Sequence, residues 1–193
     1  MNFLFFSMSI LLGIGLSMDA LSVSLANGLA EPNMKKRKMA LIAGVFGFFQ
    51  AAMPFIGWVC VHTVVEYFKF FEHLIPWIAL GLLGYIGTKM LIDGIKNKQE
   101  PTEYTTGLTF ACLLTQGIAT SIDALSAGFT ISEYSVLEVL VCVGIIAAVT
   151  FVICMAGLLV GKKAATFLSG RAGILGGSIL ILIGLEIFVS SWF

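Results

Sequence analysis

The chain has 193 residues, 59% hydrophobic and only 11% charged, with a formal net charge of zero. About a quarter of the residues of a soluble domain are charged, so a soluble globular protein is excluded in favour of one integral membrane domain. Its solvent is the lipid bilayer, no nucleic-acid partner is expected, and no oligomeric state is implied.

Six apolar runs follow one another, each near the roughly 20 residues that span a bilayer. The first covers about residues 3–29 and is closed by Pro32 and the basic cluster Lys35, Lys36, Arg37 and Lys38. No Lys or Arg precedes Lys35, so this run is read as a span and not as a secretory signal. The second covers about 40–64 and carries Gln50 and Pro54; a polar turn with Glu66, Lys69, Glu72 and His73 follows. The third covers about 75–95, and residues 96–106 form the linker, the most hydrophilic stretch of the chain. The fourth covers about 107–131, the fifth about 139–161 and the sixth about 172–193, with Lys162, Lys163 and Arg171 between the last two. All six are expected to be helices, because backbone polar groups in lipid must be paired within the segment and the runs lack strand alternation.

The basic residues set an orientation. The first, third and fifth loops hold nine of them, while the opposite face holds only Lys69 and Lys89 lies within the third run. Basic loops stay cytoplasmic, so both termini are expected outside.

One motif occurs twice. Gly13-Ile-Gly-Leu-Ser-Met-Asp-Ala-Leu-Ser22 returns 104 residues later as Gly117-Ile-Ala-Thr-Ser-Ile-Asp-Ala-Leu-Ser126, with seven of ten positions identical. Each copy puts a carboxylate, Asp19 or Asp123, inside an apolar run, where an ionisable group is costly and marks function by default. Three segments per half, an odd number, insert the second half upside down. The expected fold is therefore all-α, six transmembrane helices arranged as a 3+3 inverted-topology repeat: residues 1–95, the cytoplasmic linker 96–106, and residues 107–193. Transporters built this way hold their substrate near the midplane, where the halves meet.

Two carboxylates in a membrane repel unless a cation lies between them. Carboxylate, carbonyl and water oxygens suit Mg, Ca and Mn. Further oxygens are at hand in Ser17, Ser22, Thr120, Ser121 and Ser126. Asn27, eight residues after Asp19, shares its helix face. Gln50 stands mid-way along the second run, with Thr150 as its approximate counterpart in the fifth. The candidate metal ligands are thus Asp19, Asp123, Gln50, Asn27 and Ser121. His62 and His73 lie at or beyond the end of the second run, and Cys60, Cys112, Cys142 and Cys154 show no ligand spacing, which disfavours a soft-metal site. The cysteines are read as small buried hydrophobes and Met18 as packing. Gly13, Gly15 and Gly117 are candidates for local unwinding before the aspartates. Lys89 and Glu186 are a candidate pair between the third and sixth segments, either structural or part of coupling.

No HExxH, GxSxG or phosphate-binding loop occurs. The chain is read as no enzyme and without a cofactor, driven by an ion gradient or membrane potential, with proton exchange at the aspartates a natural coupling route. From the residues alone, three readings stay open: an exporter of a divalent cation, an exporter of a small amino acid or organic cation, and a membrane scaffold that transports nothing.

The paired Ser-Met-Asp-Ala and Thr-Ser-Ile-Asp-Ala motifs, Pro54-Phe-Ile-Gly-Trp58 and Gly173-Ile-Leu-Gly-Gly177 resemble those of the MntP-type manganese efflux pumps. The resemblance covers essentially the whole chain. It implies a bacterial inner-membrane protein of six helices that exports Mn(II), with Asp19 and Asp123 as the essential carboxylates. Gln50 stands where some members carry Glu, which implies a less negative site here.

Overall fold

The computed structural model describes residues 3–63 and 110–167, with isolated helical positions between 77 and 95 and between 174 and 189. Every regular element among the described residues is a helix. In chain order these are α1 (Phe3–Leu16), α2 (Met18–Ala30), α3 (Lys36–Thr63), α4 (Phe110–Thr120), α5 (Ile122–Thr130) and α6 (Val136–Phe167). Three stretches are long and apolar enough to cross a bilayer: Lys36–Val61, Phe110–Thr130 and Val136–Ala165. The bent pair α1 and α2, with 46° between its halves, makes a fourth if it counts as one span. The chain is a multi-pass membrane protein.

The run expected over 3–29 is two helices, not one. Its break falls at Ser17, and a matching break at Ser121 separates α4 from α5. The serines at the breaks favour the bend. Ser17 Oγ donates to the carbonyl of Ile14 (3.0 Å), and Ser121 Oγ to those of Gly117 (2.7 Å) and Ile118 (3.2 Å). A hydroxyl bonded back to its own turn competes with the helical ladder and bends it. At the second break the Ser121 amide also shifts to the carbonyl three residues back, Ile118 (3.1 Å), a tightened turn.

The other two spans run further than hydropathy suggested. α3 starts at Lys36, inside the basic cluster, and α6 continues past Lys162 and Lys163. Lysine and arginine are good helix formers, so charge ends the apolar run without ending the helix.

Among the described residues an apolar core, with Ile42, Phe46, Ile146 and Leu158, encloses a set of buried polar side chains. Ser9, Ser17, Ser24, Asn27, Gln50, Gln116, Thr120, Ser121 and Thr150 are buried. Phe48, Leu137, Leu140, Val152 and Val160 are among the large apolar side chains left exposed. Lipid covers such an outer face at no cost, and the interior is held by close packing and interhelical hydrogen bonds.

Glycine supplies that closeness at two crossings. α2 meets α6 where Gly28 and Gly161 face each other, and a Cβ on Gly161 would collide with the carbonyl of Leu25. α3 meets α5 where Gly57 and Gly128 do the same, and a Cβ on Gly57 would collide with the carbonyl of Leu125. The segment carrying one aspartate therefore packs on the long helix of the opposite half, twice over. α6 also touches α1 and α3, so it runs beside both halves of the first span.

Two contacts fix which ends lie together. Lys162 Nζ donates to the carbonyl of Met34 (3.0 Å), and Lys38 pairs with Glu31 (2.5 Å). The turn after α2 and the basic end of α6 thus share one face of the molecule. Towards the other end of α3, Trp58 Nε1 donates to the carbonyl of Tyr134 (3.2 Å) in the turn between α5 and α6.

Candidate metal centre

Both breaks deliver a carboxylate in the same way. Asp19 lies in the first turn of α2 and Asp123 in the first turn of α5, each two residues past the serine at the break. Helix N-termini favour negative charge, and the amide of Ala124 donates directly to Asp123 Oδ1 (2.8 Å). Asp19 is half-buried and Asp123 exposed. The breaks that carry them are brought together in space, because one amide bonds the residue before each.

Gln50 joins the two breaks. It is fully buried on α3, and its Nε2 donates to the carbonyls of Leu16 (2.9 Å) and Thr120 (2.7 Å). These are the last residues of α1 and α4, each immediately before a break. Two carbonyl acceptors fix the orientation of the amide, since only its NH2 group can donate to them. Oε1 is left buried with no hydrogen-bond partner among the described residues. Leaving such an acceptor unmatched costs about 1–3 kcal/mol. Pro54 adds to this local surplus of oxygen, because it has no N–H to offer the backbone carbonyl of Gln50 four residues earlier.

The remaining candidates divide. Ser121 is buried at the break, its proton committed to Gly117, with lone pairs remaining for a cation. Ser22 and Ser126 donate to backbone carbonyls of their own helix, Met18 and Asp123. Thr120 Oγ1 does likewise to Gln116 (2.9 Å). Asn27 is not beside the breaks. Its Nδ2 donates to Gln116 Oε1 (2.8 Å), and Gln116 Nε2 reaches back to Asn27 Oδ1 (3.4 Å). Thr150 Oγ1 is buried and, like Gln50 Oε1, has no partner among the described residues. Met18 is half exposed, in keeping with packing. Gly13 and Gly117 pack instead of unwinding: a Cβ on Gly13 would press on Ile146 and Val149 of α6, and one on Gly117 on the ring of Phe49. Lys89, Glu186, His73 and the linker 96–106 lie outside the described residues. Among the described residues no three His, Cys, Asp or Glu side chains cluster as a metal site. What the breaks present among the described residues is two carboxylates beside neutral oxygens, donors of the hard-ion kind.

Comparison with known proteins gives the family. A family model described as "Putative manganese efflux pump" matches residues 33–188. A pump of that description from Ruminiclostridium cellulolyticum is 41% identical over 95% of this chain and 95% of its own length. The chain belongs to the MntP family. Another member, from Clostridium botulinum, is 41% identical over 93% of this chain and 92% of its own. One from Gloeothece citriformis is 40% identical over 92% of each. No solved structure matches. These MntP relatives are named as pumps and not as enzymes, in line with the lack of catalytic motifs in the sequence.

Gln116 escaped the sequence reading. It lies seven residues before Asp123 in the same apolar run, two turns away by helical spacing. An amide at that spacing in an apolar run was the available signal. The hydrogen-bonding role of Gln50 between the two breaks was hidden for another reason: it depends on a fold in which α3 passes between them.

Proposed function

We propose that this chain is a secondary transporter that exports Mn(II) from the cytoplasm of a bacterial cell through the inner membrane. Asp19 and Asp123 hold the ion between two oppositely inserted three-helix repeats. Gln50 Oε1 and the Ser121 hydroxyl complete part of its shell, and Asn27 serves on the approach. One observation carries the reading: the same break, with an acidic residue in the first turn beyond it, occurs in both halves, and one buried amide ties the two breaks together.

Broken helices whose ends meet at mid-membrane put helix termini and unpaired backbone oxygens at an ion. Carboxylates alone would repel, and a divalent cation removes that repulsion while the neutral oxygens replace its water. Mn(II) accepts such a set. The paired glycine crossings, α2 on α6 and α5 on α3, are what an inverted repeat requires of its packing. Positive charge gathered at Lys35, Lys36, Arg37, Lys38, Lys162 and Lys163 favours that face as cytoplasmic, which puts both termini outside. Export then needs alternate opening of the site to the two faces by rocking of one half on the other.

The decisive measurement is metal flux in liposomes holding only this protein, across a series of divalent ions and imposed pH gradients. Mn(II) movement that vanishes in Asp19→Asn and in Asp123→Asn is expected. Flux of an amino acid or organic cation with none of Mn(II) would replace this reading by the second one, and no flux of any solute would leave the scaffold.

A further inference from the structure

The two ends of the proposed path are closed by different chemistry. On the basic side stands the reciprocal amide pair Asn27–Gln116, both side chains buried, joining α2 of the first half to α4 of the second. α2 runs from Asp19 toward Glu31 and the basic turn. Asn27 is eight residues beyond Asp19 within α2, so the pair lies roughly 12 Å along that helix from the Asp19 position at 1.5 Å per residue.

The offset of 104 that relates Asp19 to Asp123 also relates Asn27 to Ile131 and Leu12 to Gln116. Ile131 and Leu12 meet in one apolar cluster with Val139 and Val143. Equivalent positions thus carry an amide pair on one side of the aspartates and an apolar contact on the other.

We propose that Asn27 and Gln116 are the cytoplasmic gate of the cation path, shut by their mutual hydrogen bonds and opened when each amide turns its oxygen to the incoming ion. The inference rests on the metal-transport reading above. An apolar plug offers a cation nothing in return for leaving its water. An amide pair offers two neutral oxygens of the kind a hard cation accepts. Being uncharged, they attract the ion without trapping it, the balance conduction requires. A polar gate at the cytoplasmic end and an apolar one outside admit the ion more readily from the cytoplasm, the direction export needs. A purely structural role for the pair would be that of interhelical glue, with no bearing on flux.

The test uses full-length protein carrying Asn27→Cys and Gln116→Cys, with Cys60, Cys112, Cys142 and Cys154 each replaced by Ala. A short, reductant-cleavable bifunctional thiosulfonate links the two new thiols. Mn(II) flux is read in liposomes and Mn(II) binding in detergent, where both faces are accessible and the ion can enter whenever the outer contact parts. Linking should cut flux by at least about tenfold, reductant should restore it, and Kd should stay within about twofold. Flux undiminished by linking overturns the gate. Binding lost together with flux also overturns it, because the pair would then belong to the ion site itself. Wild-type protein that binds no Mn(II) fails the metal reading, and the gate falls with it.

Asn27→Leu with Gln116→Leu, in the native cysteine background, supplies a second route that needs no linker. It copies the apolar outer pair, and flux should fall by at least about threefold at unchanged Kd. Unchanged flux, with or without a shift in Tm, leaves only glue and overturns the gate.

Discussion

The side chain of Gln50 reaches from one half of the molecule to the other and bonds the carbonyl of Thr120 at 2.7 Å. Its second amide hydrogen takes the carbonyl of Leu16 in the first half. One residue on one helix therefore ties two broken helices at their breaks and leaves its own oxygen over.

Gln50→Leu separates that geometry from simple packing. The variant leaves two buried carbonyls without their donor and removes Oε1. A buried group deprived of its partner costs about 1–3 kcal/mol, so a lower Tm in detergent is expected. Mn(II) affinity should weaken by about tenfold, close to 1.4 kcal/mol, by isothermal titration calorimetry. Unaltered affinity would remove Gln50 from the ion's surroundings. Gln50→Glu acts in the opposite sense on charge: a third carboxylate near Asp19 and Asp123 should tighten Mn(II) binding. Because an ionised Glu cannot donate to Leu16 and Thr120, the same variant should unfold earlier without metal and regain stability with it.

Asp19 and Asp123 are expected to act as one unit. Asp19→Asn and Asp123→Asn should each insert at wild-type level and each lower Mn(II) flux by about a hundredfold or more. The double variant should be no worse than either single one, since residues sharing one ligand are not additive. Additive losses measured in liposomes would mean two separate sites.

Much of this was legible in the chain. The first, second, fourth and fifth apolar runs marked spans, while the third and sixth lie mostly outside the described residues. The repeated motif marked the two aspartates, because an acid is costly in an apolar run and is seldom kept there without a role. The breaks at Ser17 and Ser121, two residues before each aspartate, were not read from the sequence, which offered Gly13, Gly15 and Gly117 for unwinding instead. Hydropathy does not register a hydroxyl turning back on its own helix. The Asn27–Gln116 and Gln50–Thr120 contacts were not visible. Their partners lie 89 and 70 residues apart, and one sequence carries no information on which distant faces meet.

The glycines divide into those that touch and those that do not. At Gly161 a Cβ would meet the backbone of Leu25, Gly28 and Leu29, while at Gly144 nothing lies within 4 Å. Gly161→Ala should therefore force α2 off α6 and cost about 1–3 kcal/mol as an overpacked site. Gly144→Ala should be neutral or stabilising by about 0.5–1 kcal/mol, the helix-interior preference for Ala. Gly57→Ala and Gly44→Ala form the same contrast on α3, since Gly57 lies against Leu125 and Gly128 and Gly44 faces open space. Thermal unfolding in detergent reads all four, and equal effects within each pair would deny the close crossings.

The direction of export depends on which face is cytoplasmic, and two exposed positions report it. Asn33 lies in the basic turn between α2 and α3, and Glu133 in the turn between α5 and α6. Lys162 bonds the first turn and Trp58 the second, at the two ends of the bundle. In intact cells, a thiol at Glu133→Cys should react with a membrane-impermeant maleimide, and one at Asn33→Cys should react only after the cells are opened. The reverse pattern would put the basic face outside, against the charge rule, and would convert the Asn27–Gln116 end of the path from the entrance for exported ions into their exit.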